Sequence, residues 1–501
     1  MRRSWILRIT AVLLLALLLP AAGTADDSAD SEPAATPEPD KAAEELSYRL
    51  SIDWEEQHPY ARKKLFSLMD WSEETERYGP NEYLTLRWRN KAVASFLVVQ
   101  WQTIPDGVSI EQYDADGALL KSEQPQPFYD TYHMLAEGVD HIVIQAGEAG
   151  MELCRIGAFG DGLLPEPFRP WQTAPDHLDY LIVSTHPDDD TLFMGAIVPI
   201  YGAEQGFSGT VAYVTYQRRY RTTEAESGVW TMGSHIYPFF LGFMDINGNY
   251  EQTMADRFRV EDVTRALVRL FRKCRPLVVF SHDVNGEYGH WQHKIVSAAV
   301  TEAARLAGDE SYDPESVAEY GAWQVRKCYL HLYPENPLVL DIRTPLASMN
   351  NKTALTIAKE AFKRHSSQQN GRHEVQDEYG PLSLNRFGMV YGVVEAGEDA
   401  FDNIDPALFS FNRSEEPLPT DTPEPTDTPS PAPTATPAPT DTPSPTATPV
   451  PTVFAASMDT PAPTAETKPA AVLPKSAVWI GVAFALAAAA AVAWTLIRKK
   501  K

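Results

Sequence analysis

Residues 181–190 read Leu-Ile-Val-Ser-Thr-His-Pro-Asp-Asp-Asp, and no other stretch of the chain limits the fold so tightly. The apolar half carries β-branched residues and no charge, the pattern of a strand buried on both faces. Pro187 ends the ladder, because it has no N–H and restricts the residue before it. The polar residues therefore fall at the carboxyl end of a strand, where open α/β sheets place their sites. Three adjacent carboxylates repel one another and need a cation if they converge. His186 offers a neutral nitrogen beside them, so a divalent metal accounts for the stretch economically; a solvated acidic turn is the plain alternative.

A second polar stretch follows another apolar run, Pro276-Leu-Val-Val-Phe, and reads Ser281-His-Asp-Val-Asn-Gly-Glu-Tyr-Gly-His-Trp-Gln-His. Its Asn-Gly and Tyr-Gly pairs mark tight turns. His290 and His293 then open a helix three residues apart, on one face. Either can join His186 and an aspartate in a set of two imidazoles and one carboxylate, which leaves a coordination position open, as catalytic zinc requires. His282 and Asp283 sit directly at the strand end and compete for the same role on spacing alone.

The surroundings of these stretches set the fold class. From 176 to 405 strands alternate with helices, which predicts an α/β, Rossmann-like layered domain. Thr210–Tyr216 reads as a strand, Arg257–Lys273 as a helix, the segment after Asp190 as a helix to about 206, and 218–245 as loop-rich. Ahead of it, residues 46–175 hold short runs at Tyr83–Trp88, Ala94–Trp101, Val108–Tyr113 and His141–Gln145, separated by turns such as Asp114-Ala-Asp-Gly. That spacing predicts an all-β, sandwich-like domain, with Glu55–Leu68 its one long helical stretch. Tyr and Trp at strand positions read as core first and as sugar-stacking surfaces second.

The ends differ in kind from the body. Residues 1–25 carry arginines, an apolar core and a small-residue exit, the plan of a secretory signal peptide. An acidic, Ala/Pro-rich linker occupies 26–45. In 406–474 Pro-Thr-Asp-Thr-Pro recurs at 419, 425 and 439, a composition that builds an extended, solvated stalk and no core. Residues 475–501 hold the apolar run Ala477–Ile497 and a basic tail, the expectation for a transmembrane helix with a cytoplasmic end. The same end resembles a degenerate cell-wall sorting signal, with Ser476-Ala477 where Thr-Gly is usual, so a membrane-anchored, extracytoplasmic body is expected and wall association is the variant. With 68 acidic against 43 basic residues and a formal charge of −25, nucleic acid is not an expected partner. The three cysteines, Cys154, Cys274 and Cys328, lack any paired spacing and read as core.

Together these motifs resemble the PIG-L-like (LmbE-like) zinc de-N-acetylases. Thr185-His-Pro-Asp-Asp-Asp, Leu241-Gly-Phe-Met-Asp, Gly286-Glu-Tyr-Gly-His-Trp-Gln-His and Arg364-His-Ser-Ser-Gln carry the resemblance, over about 178–370. It implies a Zn2+-dependent hydrolase that removes the N-acetyl group from an extracytoplasmic N-acetylglucosamine-type sugar or glycoconjugate. It implies His186, Asp189 and His293 as zinc ligands, and Asp188 as the general base acting on the attacking water. His290 would stabilise the oxyanion. Asp190, Arg221, Asp245 and Gln292 fall at positions near substrate or behind the ligands. Two departures stand out. Asp190 replaces the family's usual Glu, and Trp291-Gln292 replace a Pro and an acidic or amide residue, so Gln292 could hydrogen-bond His290 but not charge it as an aspartate would. The competing readings are a non-catalytic cell-surface glycan-binding protein and a metal-dependent amidase or esterase for another acyl group. No His-Glu-x-x-His helix supports a peptidase.

Overall fold

Period-two alternation builds the first domain. In the strand Tyr83–Trp88, Leu84 and Leu86 point inward while Thr85 and Arg87 face outward. The computed structural model describes residues 41–53, 75–88, 94–216, 218–246 and 257–412. The expected signal peptide, most of the acidic linker, the Glu55–Leu68 helix, the stalk beyond 412 and the C-terminal apolar run lie outside the described residues. Among the described residues no helix is long and apolar enough to cross a membrane.

Nine strands form two antiparallel sheets: β1 (Leu50–Asp53), β2 (Glu76–Tyr78), β3 (Tyr83–Trp88), β4 (Phe96–Trp101), β5 (Ser109–Tyr113), β6 (Leu119–Glu123), β7 (Asp130–Met134), β8 (His141–Gln145) and β9 (Met151–Phe159). One sheet runs β1-β3-β8-β5-β6 and the other β2-β9-β4-β7, so the expected sandwich is present. Leu84, Leu86, Ile110, Ile142 and Ile144 meet Leu97, Val99, Trp101, Leu153 and Ile156 between them. Each such side chain contributes roughly 1.5–3 kcal/mol by leaving water. The β5–β6 turn is the expected Asp114-Ala-Asp-Gly: Asp114 Oδ1 accepts from the N–H groups of Asp116 and Ala118, and Gly117 takes a φ of +79°.

The second domain is a seven-stranded sheet of β10 (Tyr180–Ser184), β11 (Gly209–Tyr216), β12 (Phe239–Met244), β13 (Val278–Ser281), β14 (Lys327–His331), β15 (Pro337–Val339) and β16 (Arg386–Gly392). Its order is β12-β11-β10-β13-β14-β16-β15; the first five strands are parallel, and β16 runs antiparallel to β14 and β15. Helices α1 (Asp189–Phe193), α2 (Arg219–Met232), α3 (Val260–Cys274), α4 (Trp291–Leu306), α5 (Pro314–Tyr320) and α6 (Ala354–Phe362) connect and cover it. Val263, Leu267 and Phe271 of α3 and Val296 and Val300 of α4 pack on Leu181, Val183 and Val279. The opposite face, Tyr180, Ile182, Tyr213 and Phe280, is closed by α2 and α6. Cys154, Cys274 and Cys328 are buried and unpaired, as expected of core residues.

The structure corrects three expectations. Residues 218–245, read as loop, form α2 and β12. Helix α2 has no separate apolar face, because Arg219, Arg221, Thr223, Glu224 and Glu226 are themselves buried and paired; hydrophobic periodicity cannot find such a helix. The helix expected to run to about 206 breaks after α1 and resumes as a π-helical turn, Val198–Glu204, that carries Pro199. The packed body also exceeds its expected limits. Phe409 is buried, its ring 5.2 Å from Phe207, and Ser410 N–H donates to Asp179. At the other end Arg155 pairs with Glu45.

Candidate metal centre

β10 and β13 are parallel neighbours, with Tyr180 opposite Val278 and Ile182 opposite Phe280. The chain leaves β10 for β11 and β12 on one side and returns to β13 on the other, so the loops after β10 and β13 diverge and open a crevice. Thr185 N–H, in the first loop, donates to His282 Nε2, in the second, at 2.8 Å. Gly286, at a φ of +64°, closes the second loop; a side chain there would collide with the His290 carbonyl. Helix α4 then starts at Trp291 and aims His293 back at the first loop.

Three donor atoms meet. His186 Nδ1 lies 2.9 Å from Asp189 Oδ2 and 3.1 Å from His293 Nε2, and His293 Nε2 lies 3.1 Å from the same oxygen. Two imidazole lone pairs and a carboxylate oxygen cannot share such a space without a proton or a cation among them. Ligands of a tetrahedral ion with bonds of about 2.0–2.1 Å sit roughly 3.3 Å apart, so the set fits a divalent metal. The remaining nitrogens are held elsewhere. His293 Nδ1 donates to Glu287 Oε2 at 2.7 Å, while His186 Nε2 faces Gln292 Oε1 at 3.3 Å and Asp245 Oδ1 at 3.6 Å. Each partner fixes a tautomer that turns a lone pair to the centre. Burial opposes protonation of His293, but the negative charge of Asp189 and Glu287 beside it pushes it up to about 10, the same field that favours a cation there.

His282 is excluded from the set, since Nδ1 lies on Glu287 Oε2 at 2.8 Å and Nε2 accepts from Thr185. Asp283 is spent on its own turn, accepting from Asn285 N–H. Asp188 lies beside the triad, with Oδ1 2.7 Å from an Arg221 nitrogen that also donates to the Pro187 carbonyl. Burial and the neighbouring Asp189 push the Asp188 carboxyl up to about 7 against the pull of Arg221. His290 caps α4 with its ring 4.8 Å from that of His186 and 4.5 Å from that of His293. Burial and those two imidazoles drive it down to about 3. It is a neutral ring.

Residues 181–304 match the family model described as GlcNAc-PI de-N-acetylase, PIG-L. The segment that carries both loops is thus similar to the PIG-L-like (LmbE-like) de-N-acetylases. It is 28% identical over 191 residues to a 1D-myo-inositol 2-acetamido-2-deoxy-alpha-D-glucopyranoside deacetylase 1 from Catenulispora acidiphila, covering 32% of this chain and 58% of that one. A deacetylase of the corresponding name from Thermobifida fusca is 27% identical over 208 residues, 36% of this chain and 71% of the relative. The chain thus spans less than two thirds of the first of these relatives. Among solved structures, the N,N'-diacetylchitobiose deacetylase from Pyrococcus horikoshii aligns with a TM-score of 0.31 and 16% identity, over 38% of this chain and 70% of that one.

Within this PIG-L-like site the expected neighbours divide by position. Asp245 and Gln292 stand behind His186. Gln292 also donates to the Met244 carbonyl and accepts from Ile246 N–H, so it is fully used on that side and does not orient His290. Asp190 is completely buried, its Oδ2 accepting from Tyr213 at 2.9 Å, and burial raises its carboxyl to about 8. It lies under the ligands, out of reach of substrate. Arg221 lies between Asp188 and Glu224.

Glu287 escaped the sequence reading. This fully buried carboxylate takes the Nδ1 protons of His282, His293 and His331 and the N–H of Asp283, at 2.7–3.1 Å. Its carboxyl is held well below the ordinary range by those partners, despite burial. The one signal available was a single acid between His282 and His293, and nothing in spacing ties it to His331. Glu224 was missed too; it accepts from Ser366 and Ser367 and so docks the Arg364-His-Ser-Ser-Gln segment onto α2.

Proposed function

We propose that the protein is a zinc-dependent hydrolase that removes the acetyl group from an N-acetylglucosamine-type sugar or glycoconjugate. The convergence of His186, Asp189 and His293, with Asp188 alongside, carries this reading. Zinc held by those three residues supplies Lewis acidity towards the acetyl carbonyl and the attacking water. Asp188, poised at about 7 and held by Arg221, takes a proton from that water and returns it to the departing amine. Water adds to the carbonyl carbon, the C–N bond breaks, and acetate and a free amino sugar leave. His290 lines the opposite side. Its Nδ1 has no hydrogen-bond partner among the described residues, and as a neutral ring it donates one N–H hydrogen bond to the developing oxyanion.

The proposed substrate is extracytoplasmic, a reading supported by the signal-like and apolar-basic segments at the two ends. The test is acetate release from N-acetylglucosamine oligomers by the purified protein, abolished by a chelator and restored by zinc. Metal-loaded protein that releases no acetate from any oligomer contradicts the proposal.

A further inference from the structure

Beside the metal centre lies a cavity of about 410 Å3 whose walls include Phe193, Tyr288, Arg372, His373, Glu374 and Gln376. It shares a partition with the site already described. The Tyr288 ring lies 5.6 Å from that of His293 and 5.8 Å from that of His290, and the His373 ring lies 5.3 Å beyond Tyr288. Phe193, at the end of the helix that begins with Asp189, stands 6.1 Å from both His293 and Tyr288. One ring's thickness therefore separates the cavity from the reacting groups.

Three features of this wall bear on what it can bind. Tyr288 is 53% exposed although its backbone is held at a φ of +45°, a left-handed conformation that a tyrosine adopts at a cost. The Arg372 guanidinium makes no hydrogen bond or ion pair among the described residues, in a chain of formal charge −25 with acids to spare. Glu374, two residues on, is exposed and likewise unpaired among them. One exposed ring and one half-buried ring, a carboxylate open to hydroxyl donors and a forked cation suit a sugar ring that carries an anionic substituent.

We propose that this cavity is the subsite for the sugar unit adjoining the acetamido unit, and that Arg372 selects glycans bearing a carboxylate or phosphate there. The inference rests on the deacetylase reading above. Tyr288 and His373 present their rings to the sugar, Glu374 accepts from its hydroxyls, and the guanidinium of Arg372 pairs with the anion in two-point geometry.

The test uses zinc-loaded protein carrying Asp188→Asn, so that ligands are bound without turnover, and titration calorimetry with three probes. These are N,N'-diacetylchitobiose, N-acetylglucosaminyl-N-acetylmuramic acid, and an N-acetylglucosamine disaccharide with a phosphate monoester. At least one anionic probe is expected to bind about tenfold or more tighter than the neutral one, and which of the two does so names the anion. Adding Arg372→Ala should bring that ratio to within about twofold, and Arg372→Lys should restore part of it. An unchanged ratio in Arg372→Ala, no anionic preference, or no binding of any probe overturns the proposal. Acetate release by the unsubstituted protein is scored separately. An Arg372-dependent ratio without acetate defeats the hydrolytic reading alone, and acetate release without that ratio defeats the subsite alone.

Discussion

At the scale of single residues, the centre depends on who holds the ligands. Glu287 gathers four N–H groups on one buried carboxylate. Glu287→Gln turns an amide N–H2 against imidazole donors and should weaken metal binding about 10–100-fold. It should also cost about 2–4 kcal/mol of stability, since buried donors lose a charged acceptor. A competitive chelator titration and a urea melt read the two effects, and unaltered metal affinity would remove Glu287 from this role. Asp188 is tested by turnover. Asp188→Asn should lower kcat on the order of 10²–10⁴-fold while metal stays bound, and ordinary turnover by that variant rules out the base assignment. The sequence showed His186, Asp188, Asp189, His290 and His293 because each sits in a short run whose chemistry is dense. It could not show that Gln292 serves His186 and leaves His290 alone, nor that Glu287 reaches His331, because those pairings exist only once β13, α4 and β14 are packed.

At the scale of elements, α2 explains both a miss and a dependence. Its buried face is charged, so no apolar stripe marks it in the sequence, whereas α3 and the strands β10 and β13 announce themselves by composition. Arg219 opens the helix by pairing with Asp130 of β7 and donating to the Trp101 carbonyl, and two residues later Arg221 reaches Asp188. Asp130→Ala strands a buried guanidinium and should cost about 3–5 kcal/mol in a denaturant melt; a loss under about 1 kcal/mol contradicts this account. Glu226, donated to by Tyr237 at 2.6 Å, is held well above the usual carboxylate range by burial and then by Asp130. A raised folded value means its contribution is complete below the ordinary carboxylate range and is lost as pH rises through the raised value. Glu226→Gln should therefore flatten the decline of stability as pH rises above the ordinary carboxylate range, measured by melts from about pH 5 upward. A decline as steep as in the unsubstituted protein would show that Glu226 is not its source.

For the whole described body, the sandwich and the α/β sheet share one buried seam. β4 breaks its alternation and is buried on both faces: Val98 packs on Phe159, Leu164 and Phe168, Gln100 donates to Thr223 of α2, and nearby Tyr129 N–H donates to Tyr237. Residues 176–412 expressed alone should melt on the order of 10 °C lower than residues 41–412, and equal melting temperatures would mean the seam adds nothing. Central to the proposal is that two loops about a hundred residues apart in sequence hold one divalent ion between them. Metal analysis of the purified protein tests this most directly, comparing the unsubstituted chain with His186→Ala and His293→Ala. One zinc per chain, falling to near zero in both variants, is the expected result. Full zinc occupancy in either variant would contradict it.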